Sequence, residues 1–572
     1  MKRRWVLSPP QPARAQELRD ALGLPAVVAE VLAARGFDVE RTRTFLDVDL
    51  RTLVPPDTLP DVDLAVTRIV GALDRRERVT LYGDYDVDGT TSSAILVEFL
   101  TALGGTADYY LPDRFREGYG LSVGGMESIA TRGTKLVITA DCGTSSFAEI
   151  ARANELGMDV IVIDHHQTPK ERPAALALIN PHRHDSVFPE RGLCSAGLAF
   201  YLALAVRRRL RELGWFAGTG LAEPNLKAAL DLVALGTVAD VAPLVGLNRV
   251  LVHHGLLAMA APWRPGLAAL KHVSKVGPGD VNSGHVGFRL APRINAAGRL
   301  GDASRAVELM LCRDEARALA LAEELDRENA RRQEIEREVQ DAAIEACLAD
   351  PEHATASAMV VAGEGWHAGV VGIVAARLVE RFGRPAVVLG IEGGVAKGSA
   401  RSAGSVHLYD AMVACADLLT KYGGHAAAAG LTLPATAVPA FRRRFREVVG
   451  NLELSTRESK RRIDAELPIG EVSLDVISAL DVLRPFGEAN PEPVFVARNV
   501  GVTASRIVGG QHLRLSLEGG ISAIGFRMGG ELPQVGDRLD VCYWARLNEW
   551  QGTRRAEVQL VEPPRPAGEG LA

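Results

Sequence analysis

The string Gly83-Asp84-Tyr85-Asp86-Val87-Asp88-Gly89 puts carboxylates at alternate positions. Three further places add acid or imidazole: Asp141 in Asp141-Cys142-Gly143, the triplet Asp164-His165-His166, and Asp240 in Gly236-Thr237-Val238-Ala239-Asp240. Carboxylates gathered in one place repel one another, and burial raises their pKa further, so a bare cluster is costly. Divalent cations resolve the conflict. Several Asp with His suit Mn²⁺ or Mg²⁺ better than zinc, which favours thiolate or several imidazoles. Two such ions about 3.5–4 Å apart form a common device for cleaving phosphodiesters. Taken singly, each element has a plain structural reading. Asp84–Asp88 makes an Asx turn or a helix cap, Asp141 caps a helix beginning at Ser146, and a His pair is ordinary partly buried surface. The combination is harder to explain that way.

The elements that must position these residues follow from hydrophobic patterning. Arg78–Tyr82, Lys135–Thr139, Asp159–Ile163 and Ala175–Ile179 are short apolar runs, with helical stretches such as Thr91–Leu103 and Ser146–Leu156 between them. That alternation predicts a parallel sheet covered on both faces, with its site beyond the C-terminal strand ends. The acids and imidazoles stand just after the first three of these runs, and Asp240 follows the apolar stretch Leu232–Val238.

Residues 1–60 read as a lead-in of short helical stretches without chemistry, 61–312 as the catalytic domain, and 186–260 as mostly helical. Arg313–Leu348 lacks Pro and Gly, pairs Leu321 with Leu325 and Ile335 with Val339, and is polar on all sides at its middle. It predicts a long helix over about 313–350 that bridges two domains. A second α/β unit follows over 351–450, with strand Ala358–Ala362, helix Gly369–Phe382 and strand Pro385–Gly390, then a polar linker, Asn451–Lys460. Short strands Gly501–Ile507, His512–Leu517, Ile521–Phe526 and Arg538–Arg546 predict a small barrel within 461–562, and Gly and Pro close the chain at 563–572.

With 572 residues the chain is too long for one core. It has no apolar run near the roughly 18 residues that span a membrane, and the apolar stretch near its N-terminus is too short for a signal peptide; the expectation is a cytoplasmic protein. Six scattered cysteines without a CxxC pair argue against a disulfide framework and a zinc cluster. A net charge of −6 counts against nucleic-acid binding, but a carboxylate site contributes to it and bound cations offset part of that. The run Arg442, Arg443, Arg444, Arg446 reads as a solvated helix face.

Asp164-His165-His166 is the signature of the DHH phosphoesterase superfamily. Together with Gly83–Gly89, Asp141-Cys142-Gly143 and Gly236–Asp240 it resembles the RecJ family of exonucleases, over about residues 60–560. The resemblance implies a multidomain α/β protein: a DHH domain with a parallel sheet, a connecting helix, a smaller DHHA1 domain and a C-terminal OB-fold barrel. It implies two divalent ions, Mn²⁺ first and Mg²⁺ as the alternative, held by Asp84, Asp86, Asp88, Asp141, His165 and Asp240, with Asp141 between them. His166 would touch the scissile phosphate or orient the nucleophile, and Asp164 would fix the imidazoles.

The second α/β unit carries the DHHA1-like string Tyr422-Gly423-Gly424-His425 through Gly430, and Gly398-Ser399-Ala400-Arg401 upstream. Ser399 and Arg401, two apart on a strand, face one side, and the guanidinium fork matches phosphate. Trp366 and His367, with Arg293, Asn295 and Arg299 of the Ala291–Arg299 string, complete the expected DNA- and phosphate-binding set. In this family's terms Ser399, Arg401 and Arg293 form a pocket for a terminal 5′ phosphate. On the barrel the candidates are His512, Arg514, Phe526, Arg527, Tyr543, Trp544 and Trp550, and strand alternation makes at least one of Tyr543 and Trp544 core. Ala489 stands where the family's linker has Gly. The expected activity is 5′→3′ degradation of single-stranded DNA to 5′-mononucleotides in recombination and repair. The expected partners are single-stranded DNA with a 5′ phosphate, a RecQ-type helicase and a single-strand-binding protein, and the expected state is a monomer. Two alternatives remain. One is a DHH phosphodiesterase acting on oligoribonucleotides, cyclic dinucleotides or pyrophosphate, which the barrel argues against. The other is a non-catalytic DNA-binding scaffold, which the intact acids argue against.

Overall fold

A computed structural model describes residues 3–114, 117–277, 279, 281–404, 406–452, 460–550 and 553–569; for Trp550 only the backbone is described. Positions 453–459 of the expected linker and 570–572 of the closing Gly/Pro stretch lie outside the described residues. The chain forms two compact units. One takes in the described residues up to Ala291 together with those from Lys460 onward, and the other runs from Pro292 to Leu452.

The core of the first unit is a five-stranded, all-parallel sheet in the order Thr106–Tyr110, Arg78–Gly83, Thr134–Ala140, Asp159–Ile163, Ala177–Ile179. The central strands are buried on both faces, as their continuous Val, Ile and Leu content requires. The edge strand Thr106–Tyr110 joins the sheet between the first and second expected strands in chain order. Its residues, Thr-Ala-Asp-Tyr-Tyr, carry too little apolar content to mark it in the sequence. The ladder runs on past the strand ends: the amides of Asp84, Asp141 and Asp164 donate to Ala140, Ile163 and Ile179 at 3.0, 3.0 and 3.1 Å. Three acids therefore end three neighbouring strands in one row.

The same unit contains a barrel. Strands Phe495–Val508, His512–Leu517, Ser522–Gly525, Thr553–Leu560 and Arg538–Trp550 pair in that order, and the last pairs back to the first, closing a five-stranded ring. The N-terminal lead-in has a structural task. Strand Arg4–Leu7 pairs in parallel with Lys460–Ile463, and Leu18, Val28, Leu32 and Phe37 share one core with Leu483, Phe495, Leu513 and Val541 of the barrel region. Arg35 holds Asp464 through two bonds of 2.8 and 3.1 Å. Arg249, buried on the helix Gly246–Ala260, donates to the carbonyls of Phe45, Val482 and Leu483 at 2.8–2.9 Å and lies 3.9 Å from the Phe45 ring centroid. It thus ties the catalytic domain to both the lead-in and the segment entering the barrel.

In the second unit, a sheet runs in the order Lys421–Gly424, Ala428–Pro434, Val395–Arg401, Ala386–Glu392, Met359–Glu364. The expected long helix runs Glu315–Ala349 and belongs to this unit throughout. Its first half buries Ala318, Leu321, Ala322 and Leu325, and its last third packs Val339, Ala343 and Cys347 against Val371, Val374 and Leu378.

Candidate metal centre and phosphate site

Around the row of strand ends, local sequence places each donor. Asp86 caps the helix Val87–Ala102, its Oδ1 accepting from the amides of Asp88 and Gly89 at 2.9 and 3.1 Å. The cap turns the helix start back on the strand end so tightly that a Cβ at Gly89 would stand 2.5 Å from the Asp84 carbonyl oxygen; only Gly fits. Asp88, in the first turn, accepts from the amides of Ser195 and Ala196 at 2.7 and 2.9 Å, so a second helix, Ser195–Glu212, begins on its carboxylate. Asp141 has φ 65° and Val241, next after Asp240, φ 58°; one left-handed non-glycine residue thus stands at a candidate ligand and another directly after one, the kind of place where folds store backbone strain. Asp240 itself ends the helix Leu230–Ala239.

The side chains converge. His165 Nε2 lies 3.1 Å from Asp141 Oδ1, 3.7 Å from Asp240 Oδ2 and 3.8 Å from Asp88 Oδ2. Asp84, Asp86 and Asp141 bring donor atoms within 4.8 Å of one another, as do Asp88, His165 and Asp240, and as do Asp141, His165 and His166. Asp141 is common to two of these groups and touches the third through His165.

Electrostatics mark the cluster as unfit to stay bare. Burial, then the charge of Asp86, pushes Asp84 well above the usual carboxylate range; burial and the charges of Asp86, Asp88 and Asp84 do the same to Asp141. Asp88 is raised by burial, and Asp240 reaches about 8 through burial and its neighbour Asp88. Asp84 Oδ1 is buried with no hydrogen-bond partner, a state that costs about 1–3 kcal/mol or more unless something else satisfies it. The nearby thiols of Cys142 and Cys194 belong to none of these groups of converging donors, and burial raises both well above their usual pKa. Buried carboxylate oxygens with imidazole and an orphaned acceptor fit hard divalent cations such as Mn²⁺ or Mg²⁺.

Asp164 behaves differently. Burial works against its charge, but the hydrogen bond and charge of His166 outweigh it and hold the acid down at about 2. Its Oδ1 accepts from His166 Nδ1 at 2.7 Å and from the amides of His165 and His166 at 2.8 and 3.1 Å, and Oδ2 accepts from the Thr144 amide at 3.0 Å. For His166 burial likewise opposes the charge, and Asp164 carries it up to about 9. Asp164 is therefore an orienting carboxylate whose fixed partners leave His166 Nε2 pointing at Tyr119, 3.3 Å from its hydroxyl.

Sequence reasoning passed over Tyr119. It lies in Gly118-Tyr119-Gly120, a turn signal that could have flagged it. Its hydroxyl donates to the Asp141 carbonyl at 3.2 Å, and its ring meets Tyr85 edge-on at 6.2 Å, with the Arg114 guanidinium 5.1 Å from the Tyr85 centroid. Asn180, also missed, holds Thr144 Oγ1 and the His166 carbonyl at 3.0 and 2.8 Å.

In the second unit, Ser399 and Arg401 share one side of their strand, and Arg401 Nη1 donates to Ser399 Oγ at 3.0 Å. The helix Val371–Phe382 starts beside them: a Cβ at Gly372 would stand 3.1 Å from Arg401 Nη2 and 3.2 Å from Ser399 Oγ. Serine, guanidinium and a helix N-terminus are groups that could hold an anion together. The Gly369 amide donates to His367 Nδ1 at 3.0 Å and the Gly369 carbonyl accepts from Arg299 Nη1 at 3.1 Å, which brings both to the same helix start. Gly424 has φ 143° where the strand turns back toward Ala428, and a Cβ there would collide with the Ala428 carbonyl. Its role in the fold is the turn, and His425 is exposed at the tip. Trp366 is half-buried against the Val371–Leu378 core, which limits the face it can offer. Arg293 pairs with Asp326 at 2.8 Å, and Asn295 lies two residues on, half-buried in the helix Ala291–Leu300.

On the barrel, Tyr543 is fully buried and donates to the Leu467 carbonyl at 2.6 Å; it is core, not a strand contact. Trp544 is half-buried, and the Trp550 side chain lies outside the described residues. Arg514 is half-buried and pairs with Glu557 at 2.9 Å, so it is committed within the barrel. His512 accepts from the Arg527 amide at 3.0 Å and meets the exposed Phe526 ring at 5.3 Å.

Comparison with known proteins agrees with this architecture. The patterns of the DHH family N-terminal domain, the DHHA1 domain and the RecJ OB domain match residues 78–237, 355–451 and 463–562. The single-stranded-DNA-specific exonuclease RecJ of Dickeya dadantii is 40% identical over 96% of this chain and 97% of its own length. That of Bacillus subtilis is 36% identical over 98% of this chain and 70% of its own. The crystal structure of RecJ from Thermus thermophilus in complex with Mn²⁺ is 34% identical and superposes with a TM-score of 0.83, covering 98% of this chain and 79% of that one. On sequence, domain order and fold together, the chain belongs to the RecJ family of the DHH superfamily.

Proposed function

We propose that the chain is a metal-dependent exonuclease that degrades single-stranded DNA from its 5′ end and releases 5′-mononucleotides. The observation that carries this is the convergence of Asp84, Asp86, Asp88, Asp141, His165 and Asp240 at the strand ends, with a buried, unpartnered Asp84 oxygen, in a chain of RecJ sequence and domain order. Asp84, Asp86 and Asp141 would hold one divalent ion, Asp88, His165 and Asp240 the other, with Asp141 between them. When bound, the pair supplies Lewis-acid activation of water and neutralises charge on the phosphate and leaving oxygen.

The protein's own residues do the rest. Asp164 fixes the imidazole of His166 and keeps it cationic, so Nε2–H donates to a non-bridging oxygen of the scissile phosphate. Tyr119, whose hydroxyl lies 3.3 Å from the same Nε2, gives up that hydrogen bond to the phosphate oxygen. Ser399, Arg401 and the start of the helix Val371–Phe382 bind a terminal phosphate, assisted by Arg293, Asn295 and Arg299. Trp366, His367, Gly424, His425, His512 and Arg514 complete the reading as DNA-contacting or supporting positions; for Arg514 and Gly424 the support is indirect, through the Glu557 pair and the turn.

No helix among the described residues is long and apolar enough to cross a membrane; a cytoplasmic location and a monomeric state belong to the same proposal. An enzyme confined to single strands needs duplex opened for it and meets strands already coated, which favours a RecQ-type helicase and a single-strand-binding protein as partners. The test is digestion of end-labelled single- and double-stranded DNA with Mn²⁺, Mg²⁺ or EDTA. The single strand should be shortened from its 5′ end with either metal, more slowly when it bears a 5′-hydroxyl, and not at all in EDTA. Equal cutting of duplex, or activity in EDTA, contradicts the reading.

A further inference from the structure

Phe288 is 86% exposed, the most exposed large apolar side chain among the described residues. It is not on a frayed end. It sits at the middle of a π-helical turn, Val286–Leu290, whose first and last residues are fully buried, so the backbone is anchored on both sides and the ring is held out into water. Single π turns are rare and are frequently found at functional sites. This one packs on the last turn of the helix that ends in Asp240: a Cβ at Gly287 would stand 3.8 Å from Val238 Cγ1. Its surroundings are basic. Arg289 Nη1 donates to the Lys275 carbonyl at 3.1 Å, and the Arg289 carbonyl accepts from Ser274 Oγ at 3.5 Å, so the turn is tied to the segment bearing the exposed Lys275. Of the three Lys and Arg in residues 271–291, Lys275 and Arg289 are exposed, whereas Lys271 is buried with its ammonium on the Met259 and Ala260 carbonyls.

We propose that Phe288 is a stacking post for an unpaired base, with Lys275 and Arg289 beside it supplying charge for the adjoining phosphates. The proposal rests on the nuclease reading above and deepens it by adding a residue that selects for unpaired bases. Every base has a π-face, so an exposed ring grips a strand without reading its sequence, while a paired and stacked base has no free face to offer. Cationic neighbours add the salt-dependent attraction for the backbone.

The experiment is fluorescence anisotropy of a labelled oligothymidylate, and of an abasic strand of equal length, with the full chain in EDTA. Phe288→Ala should weaken oligothymidylate binding about five- to ten-fold, toward the low end of base–aromatic stacking. Phe288→Trp should retain it, and the abasic strand should bind wild type and Phe288→Ala alike. An unchanged melting temperature establishes that the exposed site tolerates the change. Binding of oligothymidylate by Phe288→Ala within two-fold of wild type overturns the proposal, as does an equal loss on the abasic strand. So does a change of oligomeric state on sedimentation with DNA binding intact, which would make the ring a contact between copies of the chain. Because binding is read without cleavage, a wild type that binds but does not cut end-labelled DNA with Mn²⁺ sinks the nuclease reading alone.

Discussion

Asp84, Asp88 and Asp141 are carboxylates that the fold hides from water and places within reach of one another, and this arrangement has a thermodynamic signature. Asp240 is raised to about 8 against an ordinary 3.8, and the three buried acids are raised as well. Without metal, the native state therefore keeps protons that the unfolded chain releases from about pH 4 upward, and stability falls as pH rises through that window to about 8. Cation binding requires deprotonated ligands, so Mn²⁺ should stabilise more at pH 8 than at pH 5.5. Thermal melts at the two pH values in EDTA and in Mn²⁺ measure this; an EDTA melting temperature that rises with pH contradicts it. A second residue-scale case is Ala489, where Gly was expected and where the backbone takes a conformation that favours Gly, φ 60°. A left-handed Ala costs about 1–2 kcal/mol, and Gly gives back about 0.5–1 kcal/mol in chain entropy. Ala489→Gly should stabilise by about 0.5–1 kcal/mol in urea denaturation; a destabilised variant contradicts the strain.

Elements put these residues where they act, and two devices recur. One is the strand end: the ladder bonds of Asp84, Asp141 and Asp164 align three acids across neighbouring strands. The other is the helix start, used on Asp88 by the helix Ser195–Glu212 and beside Ser399 and Arg401 by the helix Val371–Phe382. The strand runs were legible because buried parallel strands are continuously apolar. The edge strand Thr106–Tyr110 and the strand Thr553–Leu560, written Thr-Arg-Arg-Ala-Glu-Val-Gln-Leu, were not: the first is partly exposed along its length and the second is exposed over its first three residues, so polar side chains interrupt the run. The helix Gly246–Ala260 carries Arg249, a buried cation whose three acceptors are carbonyls from two other segments, and burial lowers it to about 10. Arg249→Ala would leave three carbonyls unpaired and should cost about 2–4 kcal/mol of unfolding free energy. A chemical denaturation midpoint equal to that of wild type contradicts its role as the tie.

At the scale of the whole molecule, the sequence marked the catalytic sheet, the second α/β unit and the barrel, but not what joins the first 50 residues to the last 110 or so. Trp5 donates to Glu562 at 2.9 Å, and Arg35 grips Asp464; such pairs, hundreds of residues apart, leave no local periodicity to read. The same holds for Tyr119 and Asn180, which act through neighbours brought in by the fold, whereas Asp84 to Asp88, Asp141 and the Asp164–His166 triplet declared themselves by spacing. Tyr543 shows the reverse, an aromatic that alternation alone could not assign and that packing places in the core. What unites the architecture is the claim that its acid cluster exists to hold a pair of cations. Counting bound Mn²⁺ by electron paramagnetic resonance, alongside cleavage of a labelled single strand, tests this most directly. Wild type should bind two Mn²⁺ per chain, and Asp141→Ala should lose binding and cleavage together while the fold persists. A wild type that binds no Mn²⁺, or an Asp141→Ala variant that cuts at the wild-type rate, would contradict it.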